Sequence, residues 1–238
     1  MRKWKINFKL AKTDTNHNGN CNHILYLPPG PDQDLGLGIG KNKVTFIIKT
    51  NKNPIFSMRC IYWNIRGIAN DKSQNRLSKL INKWELDIVG IAELMIGPND
   101  LPSNFLQSLG MSSALYSNPS SDPNRVPNLW LIWKDSVSTP TMIHFSNQHI
   151  TVMVDSVLIT IVYAHCLYVQ RRHLWLELST INSINLPWLI LGDFNAYLSV
   201  SEKRGGNNPT TASMADFRNF MTNNQLMEVP NSGFHLTW

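Results

Sequence analysis

The residues best suited to chemistry in this sequence follow a short apolar run, where GDFN (192–195) comes directly after LPWLIL (186–191). An apolar run that opens with a proline and closes at a glycine is typical of a strand buried on both faces. Asp193 and Asn195 leave this strand at alternate positions, so both can point to the same side. A carboxylate beside a carboxamide can orient water and phosphate oxygens, although the four letters alone also fit a plain strand-to-turn junction.

The same pattern, a polar residue at the end of an apolar strand, occurs three more times. Asn64 ends the run CIYWN, Glu93 ends DIVGIAE, and Tyr163 ends VLITIVY. Folds that mix helices and strands gather their chemistry at strand ends. The sequence therefore predicts one site to which four strands contribute.

Taken together, these segments resemble the endonuclease/exonuclease/phosphatase superfamily, and within it the endonucleases of plant LINE-type non-LTR retrotransposons. The resemblance covers residues 58–238. Its motifs, in order, are WNIRG (63–67), DIVGIAE (87–93), VYA (162–164), LGDFNA (191–196), RGG (204–206), Asp216-Phe217, Leu226 and GFHLTW (233–238). Several separate motifs in the same order are far more specific than any one of them.

The resemblance implies a role for each strand-end residue. Glu93 matches the family's metal-binding carboxylate, and Asn64 matches a residue that helps to hold the metal site and the phosphate. Tyr163 matches a phenol that donates a hydrogen bond to a phosphate oxygen. Asp193 matches the residue that positions the attacking water, with Asn195 orienting the phosphate. The implied reaction is Mg²⁺-dependent phosphodiester hydrolysis, with Mn²⁺ as a substitute ion and DNA as the substrate.

One part of the family pattern is missing from the sequence. Members of the family end with a further strand pair and a Ser-Asp-His segment that supplies the general base, and these 238 residues contain no such segment. A general base contributes about 10²–10⁴-fold in rate, so the resemblance implies impaired activity. Among the histidines, His165 is the best substitute by position, but a loop histidine without a catalytic role is the preferred interpretation. His173 and His235 are expected to be exposed.

Composition limits the class of protein. At 238 residues with 42% hydrophobic residues, the chain is expected to form one domain plus an extension. Three widely spaced cysteines do not make a disulfide framework, and Cys60 and Cys166 are expected to be reduced core residues. No apolar run reaches membrane-spanning length, and the N-terminus lacks a secretory signal. An intracellular monomer with no membrane partner is expected, and the resemblance favours the nucleus over the cytoplasm.

Charge divides the chain into two parts. Residues 1–56 hold nine Lys or Arg against three Asp, which accounts for the whole net charge of +6, while residues 57–238 are neutral. A basic segment of this kind could contact nucleic acid nonspecifically through phosphates. Its Asn-rich run and its LPPGP segment favour instead a poorly ordered extension. Within it, residues 44–48 are expected to form a short strand.

The remaining residues, 57–238, predict an endonuclease/exonuclease/phosphatase-like domain that lacks its final strands. Hydrophobic periodicity predicts helices over 72–84, 170–182 and 213–224. Strands are predicted over 128–133, 141–145 and 149–154, in addition to the four that end in polar residues. The expected fold is a two-sheet sandwich flanked by helices, a four-layer α/β/β/α arrangement that is incomplete at the C-terminus. The tryptophans at 130, 133, 175 and 188 are expected in the core.

Three functions fit these observations. The first is a Mg²⁺-dependent DNA endonuclease of retrotransposon type. The second is a catalytically inactive remnant of such an element. The third is another phosphoesterase of the same superfamily, which the LINE-like motifs RGG and GFHLTW argue against.

Overall fold

Runs of strands are separated by helices along the described residues. The computed structural model describes residues 8–12, 14–15, 21–27, 43–50, 53–102, 104–119, 126–203 and 207–228, and residues before Met58 are described by their backbone alone. The strands are β1 (Phe8–Lys12), β2 (Asp14–Thr15), β3 (Cys21–Leu27), β4 (Lys43–Thr50), β5 (Asn53–Asn64), β6 (Ile88–Ala92), β7 (Tyr116–Ser117), β8 (Leu129–Trp133), β9 (Thr141–Ser146), β10 (His149–Val154), β11 (Val157–Tyr163), β12 (Trp188–Asp193) and β13 (Met227–Glu228). The helices are α1 (Asp71–Trp84), α2 (Phe105–Ser108), α3 (Tyr168–Asn182) and α4 (Thr211–Asn223), with short 3₁₀ turns at Pro98–Asp100 and Val200–Glu202.

The strands form two mixed sheets. The six-stranded sheet has the order β13-β1-β12-β11-β10-β9, and the seven-stranded sheet has the order β2-β3-β4-β5-β6-β8-β7. Each sheet contains one parallel pair, β11 with β12 and β5 with β6, among antiparallel neighbours. Parallel neighbours need a crossover connection. That connection is α3 in the six-stranded sheet and α1 in the seven-stranded sheet, so each sheet has a strand–helix–strand unit at its centre.

Three hydrophobic clusters hold four layers together. The middle cluster joins the inner faces of the two sheets, with Tyr62, Leu131, Ile150 and Ile159 among its buried members. A second cluster packs α1 and α2 on the seven-stranded sheet, and a third packs α3 and α4 on the six-stranded sheet. The predicted two-sheet sandwich flanked by helices is therefore confirmed.

The predicted elements agree closely with the observed ones. Helices α1, α3 and α4 match the predicted helices to within two residues at each end. Capping explains the start of α1, since the Asn70 side chain accepts a hydrogen bond from the Ser73 amide. Strand β4 contains the strand predicted at 44–48, and it pairs antiparallel with β5. The division of the chain at residue 56 and the poorly ordered character of the extension stay predictions.

Burial confirms most of the predicted core and corrects one residue. Trp130, Trp133, Trp175 and Trp188 are all buried, and so is Cys60. Cys166 is exposed, so its assignment to the core was wrong. Strand β11 ends at Tyr163, and Cys166 lies in the turn that connects it to α3, where no sheet covers it. Among the described residues, no helix has the length and apolar character needed to span a membrane.

Candidate active site

The four predicted strand ends meet at one edge of the sandwich. In the seven-stranded sheet, Asn64 is in register with Ala92, so Glu93 is the first residue beyond β6. In the six-stranded sheet, Tyr163 is in register with Asp193. Both pairs are parallel, so the carboxyl ends of both strands of a pair lie at the same edge of their sheet.

Glu93 lies at the centre of this cluster. Its Oε1 atom accepts hydrogen bonds from Asn64 Nδ2 at 2.6 Å and from the Tyr163 hydroxyl at 2.8 Å. The second bond crosses from one sheet to the other. The Glu93 backbone is left-handed, with φ 57°, and is held by Asn128 and Gly67 through backbone hydrogen bonds. One carboxylate oxygen is thus fixed by donors from both sheets.

A buried oxygen of Asn64 indicates where a cation could bind. Because Asn64 donates its amide hydrogens towards Glu93, its Oδ1 atom is left buried with no hydrogen-bond partner. A buried acceptor without a partner is costly, and such atoms call for an explanation. Oxygen donors of this kind suit Mg²⁺, which is bound through one or two carboxylates and keeps several waters. Within the described ranges, no group of three or more His, Cys, Asp or Glu side chains forms a closed metal cage.

Tyr62 and Tyr163, near the acidic residues of the site, stay in their neutral form. Burial raises the pKa of Tyr163 well above its usual value of 10, and the hydrogen bond to Glu93 and the negative charges of Glu93 and Asp193 raise it further. Burial also raises the pKa of Tyr62, with charges at Asp193, Tyr163 and Glu93 acting in the same direction. A neutral phenol keeps its proton, so Tyr163 stays a hydrogen-bond donor.

A turn, not strand alternation, brings Asp193 and Asn195 together. The Asn195 amide nitrogen donates to Asp193 Oδ1 at 2.9 Å, which closes an Asx turn. Asn195 has a left-handed backbone with φ 48°, a conformation that asparagine tolerates well. Its Nδ2 donates to the Ala164 carbonyl oxygen at 2.7 Å. The pair is thereby tied to the residue that follows Tyr163.

Gly192 allows the close approach of β11 and β12 at the site. It has φ 155°, and a Cβ atom added there would lie 2.1 Å from the Val162 carbonyl oxygen. No other residue fits this position without a backbone shift. The glycine before Asp193 is therefore a packing requirement of the strand pair as well as the start of a turn.

Gln148 is a site-supporting residue that the sequence analysis missed. Its side chain accepts a hydrogen bond from the His165 amide and donates to the Gln170 carbonyl oxygen. It is only 5% exposed. In the sequence, Gln148 is recognisable only as a glutamine between two predicted strands. Nothing there places it next to the turn that follows Tyr163.

The histidines and the C-terminal motifs have different outcomes. His165 is exposed, and its Nδ1 accepts a hydrogen bond from the Leu167 amide. His173 is exposed on α3. The RGG motif (204–206), the GFHLTW motif (233–238) and His235 lie outside the described residues. The catalytic and metal-binding roles of the five strand-end residues stay predictions.

Comparisons with known proteins agree with this architecture. Among solved structures, a 3′-5′ exonuclease from Neisseria meningitidis (NExo) is similar at 16% identity and TM-score 0.51, covering 69% of this chain and 71% of that one. A 3′ phosphatase NExo structure from Neisseria, bound to a product DNA hairpin, is similar at 14% identity and TM-score 0.50, covering 69% and 70%. An AP endonuclease from Archaeoglobus fulgidus is similar at 9% identity and TM-score 0.55, also covering 69% and 70%.

A further structure is more distant. The endonuclease domain of TRAS1, a telomere-specific non-LTR retrotransposon, has 9% identity and TM-score 0.47, covering 70% of this chain and 72% of that domain. No curated protein sequence matches the chain.

The family model gives the decisive match. It is described as the Endonuclease/Exonuclease/phosphatase family, and it matches residues 61–232, well over half of the chain. The matched range includes all five strand-end residues of the site. The chain belongs to the endonuclease/exonuclease/phosphatase family of nucleases and phosphatases.

Proposed function

We propose that this protein is a Mg²⁺-dependent DNA endonuclease of the LINE retrotransposon type. The observation that carries the proposal is the Glu93 carboxylate, which is held from both sheets by Asn64 and Tyr163 beside a buried, unpartnered Asn64 oxygen. The Asp193–Asn195 turn lies next to this cluster through the register of β11 and β12. Oxygen atoms that can bind a metal ion, next to a carboxylate–carboxamide pair, suit phosphodiester hydrolysis.

Glu93 and Asn64 are the residues that would hold the ion. When bound, Mg²⁺ supplies positive charge against the charge that develops on the phosphate. The Tyr163 hydroxyl donates a hydrogen bond to a phosphate oxygen. The phenol stays protonated because its pKa is raised. Asp193 orients the attacking water by accepting its hydrogen bond. Asn195, fixed by the Ala164 carbonyl oxygen, orients the phosphate.

DNA is the proposed substrate for two reasons. The LINE-like motifs RGG (204–206) and GFHLTW (233–238) favour an endonuclease of this type over other phosphoesterases. The NExo structure from Neisseria with a similar fold is bound to a DNA hairpin. A nuclear location follows from the same proposal.

Nicking of supercoiled plasmid DNA tests the proposal. We expect Mg²⁺-dependent nicking, with Mn²⁺ as a substitute, that falls by about 10²-fold or more in Glu93→Gln and Asp193→Asn. Asp155→Asn is the matched control, because Asp155 is an exposed carboxylate in the turn between β10 and β11 with a left-handed backbone that asparagine accepts. This control should retain the wild-type rate.

The remaining outcomes separate the alternatives. Nicking that persists in Glu93→Gln would contradict the proposal, since the carboxylate that carries it would be dispensable. Hydrolysis of small phosphoesters without nicking of DNA would favour another phosphoesterase of the family. No hydrolysis of either substrate with either ion would favour an inactive remnant. The expected impairment of activity stays a prediction, which the wild-type rate measures.

A further inference from the structure

Arg171, in the first turn of α3, has a buried guanidinium group that the proposed chemistry does not use. The residue is only 4% exposed. Its Nη1 donates to the carbonyl oxygens of His165 at 3.1 Å and Cys166 at 3.0 Å, and its Nη2 donates to Ser213 Oγ at 2.7 Å. One side chain therefore joins the turn after β11, helix α3 and helix α4.

The turn that Arg171 holds is the one to which the Asn195 side chain is hydrogen-bonded. Ala164, at the start of this turn, donates its amide to the Asp193 carbonyl oxygen at 2.9 Å and accepts the Asn195 side-chain amide at 2.7 Å. Gln148, in the turn between β9 and β10, holds the same turn by accepting a hydrogen bond from the His165 amide. Any displacement of the turn would move the Ala164 carbonyl oxygen, and Asn195 with it.

Stability alone is a weak reason for a buried arginine here. Its acceptors are two carbonyl oxygens and a hydroxyl, none of them charged, whereas burying a cation carries a large desolvation cost. Burial lowers the pKa of Arg171, and the nearby Cys166 and Asp193 act in the opposite direction. An apolar side chain of similar size would fill the same space without that cost. The rigid fork of the guanidinium, however, fixes three acceptors at once.

The neighbouring Arg172 helps to distinguish a role in joining α3 to α4 from a role in holding the turn after β11. Arg172 also links α3 to α4, through a 2.9 Å ion pair between its Nε and Asp216 Oδ2. It is exposed, and its hydrogen bond does not reach the turn. A residue needed only to hold the helices together should therefore behave like Arg172.

We propose that Arg171 is a positioning residue of the active site: by clamping the turn 164–167 against α3 and α4, it fixes the Ala164 carbonyl oxygen and thereby the Asp193–Asn195 pair. The inference rests on the proposed nuclease function for its kinetic consequence. Its structural consequence, the ordering of the 193–195 turn, can be measured without any hydrolysis.

Kinetics on DNA provide the first part of the test. Arg171→Met, which keeps much of the volume, should lower kcat by about 10²-fold because a misplaced catalytic group costs that much. KM should change by less than about 3-fold, since Asn64, Glu93 and Tyr163 are held by hydrogen bonds that do not involve Arg171. Arg171→Lys should recover only part of kcat, because an ammonium cannot reproduce the fork. Arg172→Met, the matched control, should keep the wild-type kcat.

Amide hydrogen exchange provides the second part. Under native conditions, Arg171→Met should exchange faster than wild type in peptides that cover residues 164–167 and 193–197, while peptides of β5 and β6 stay protected. Arg172→Met should leave both segments as in wild type. This result would support the positioning role even if wild-type protein cleaved no DNA, so failure of the proposed function would be recognised separately.

Two results would overturn the inference. One is unchanged exchange at 193–197 in Arg171→Met, which would mean that the turn does not depend on the clamp. The other is an equal loss of kcat in Arg171→Met and Arg172→Met, which would point to the link between α3 and α4. If Arg171→Met fails to fold, Arg171→Lys and Ser213→Ala provide the same comparison, and wild-type exchange in both would likewise overturn it.

Discussion

At the scale of single residues, the site uses backbone conformations that ordinary strand ends avoid. Glu93, the first residue after β6, and Asn195, the second residue after β12, have positive φ values of 57° and 48°. Such a conformation costs about 1–3 kcal/mol for a residue with a long side chain, and it persists only where surrounding contacts hold it. At Glu93 those contacts are the backbone hydrogen bonds to Asn128 and Gly67. The left-handed turn is what directs the carboxylate towards Asn64 and Tyr163.

Replacing Tyr163 with phenylalanine tests the hydrogen bond that joins the two sheets at the site. We expect Tyr163→Phe to lower kcat for DNA nicking by about 10²-fold, because one preorganised donor is lost. KM should change little, because Asn64 still holds Glu93. The raised pKa of Tyr163 keeps the wild-type phenol protonated above pH 10, so its ionisation should not reduce the rate on the alkaline side of a pH–rate profile.

Tyr116→Phe is the control for that measurement. The Tyr116 hydroxyl, in β7 and two strands away from β6 in the seven-stranded sheet, donates a 2.7 Å hydrogen bond to the Pro140 carbonyl oxygen. The Tyr116→Phe variant loses a hydrogen bond of similar length and should keep the wild-type kcat. A Tyr163→Phe protein with wild-type kcat would show that the phenol has no part in the reaction.

The sequence could predict the members of the site but not the bonds between them. Asn64, Glu93, Tyr163 and Asp193 each follow an apolar run, and strand ends can be recognised from such local patterns. The bond between Tyr163 and Glu93 joins residues 70 positions apart, and it depends on how two sheets pack. The left-handed backbone at Glu93 is likewise set by its neighbours in space. Strand alternation wrongly explained how Asp193 and Asn195 meet, since a turn brings them together.

At the scale of elements, α3 is anchored to the outer face of the six-stranded sheet by a chain of titratable groups. His149, fully buried at the start of β10, faces Glu177 of α3 at 3.4 Å through Nδ1 and His144 of β9 at 3.1 Å through Nε2. Ser146 Oγ also lies 3.0 Å from His149 Nδ1. The two imidazole rings are within 12° of parallel, and their facing nitrogens make the contact. A buried imidazole thus links the edge strand to the helix.

This anchor should make stability depend on pH. Burial lowers the pKa of His149 below its ordinary 6.5, against the opposing effect of Glu177, while His144 lowers it further. Between the ordinary pKa and the lower folded one, the unfolded chain binds more protons than the folded chain. The contribution of neutral His149 to stability is therefore full above pH 6.5. It is lost as the pH falls through the pKa of His149 in the folded protein. We expect the urea midpoint of wild-type protein to fall between about pH 7.5 and about pH 5.5.

His149→Gln removes the titrating group and should flatten this pH dependence, even if it lowers stability at neutral pH. His173→Gln, at an exposed position on α3, should leave the dependence unchanged. An equally steep fall in His149→Gln would show that other groups control stability in this pH range. The sequence did not single out His149, because nothing local distinguishes a buried histidine in an alternating strand from an exposed one.

At the scale of the whole molecule, the site exists only because two sheets pack at a fixed separation. Asn64 and Glu93 come from one sheet, and Tyr163 and Asp193 come from the other. The inner faces approach closely at Gly90 of β6, where an added Cβ atom would lie 2.5 Å from Ile161 Cγ2. Gly90 is three residues before Glu93, and Ile161 is two before Tyr163. The same contact therefore sets both the fit of the core and the geometry of the site.

A double-mutant cycle at this contact tests that coupling. Gly90→Ala should lower the free energy of unfolding by about 1–3 kcal/mol through overpacking. Ile161→Ala should lower it by about 2–5 kcal/mol through the cavity that it leaves. The double variant should lose clearly less than the sum, because the methyl group that meets the new Cβ is gone. Chemical denaturation of the four proteins measures the cycle, and strictly additive losses would contradict the close contact.

The same variants separate stability from site geometry. Leu178→Ala, in the cluster between α3 and the six-stranded sheet, is a control that lowers stability without touching the interface of the two sheets. Compared at a temperature where each protein is folded, Gly90→Ala should nick DNA more slowly than Leu178→Ala, because only Gly90→Ala displaces Glu93 from Tyr163. The double variant should recover part of that rate. Equal rates in Gly90→Ala and Leu178→Ala would mean that the site tolerates a change in sheet separation, and that the bond between Tyr163 and Glu93 adapts to it.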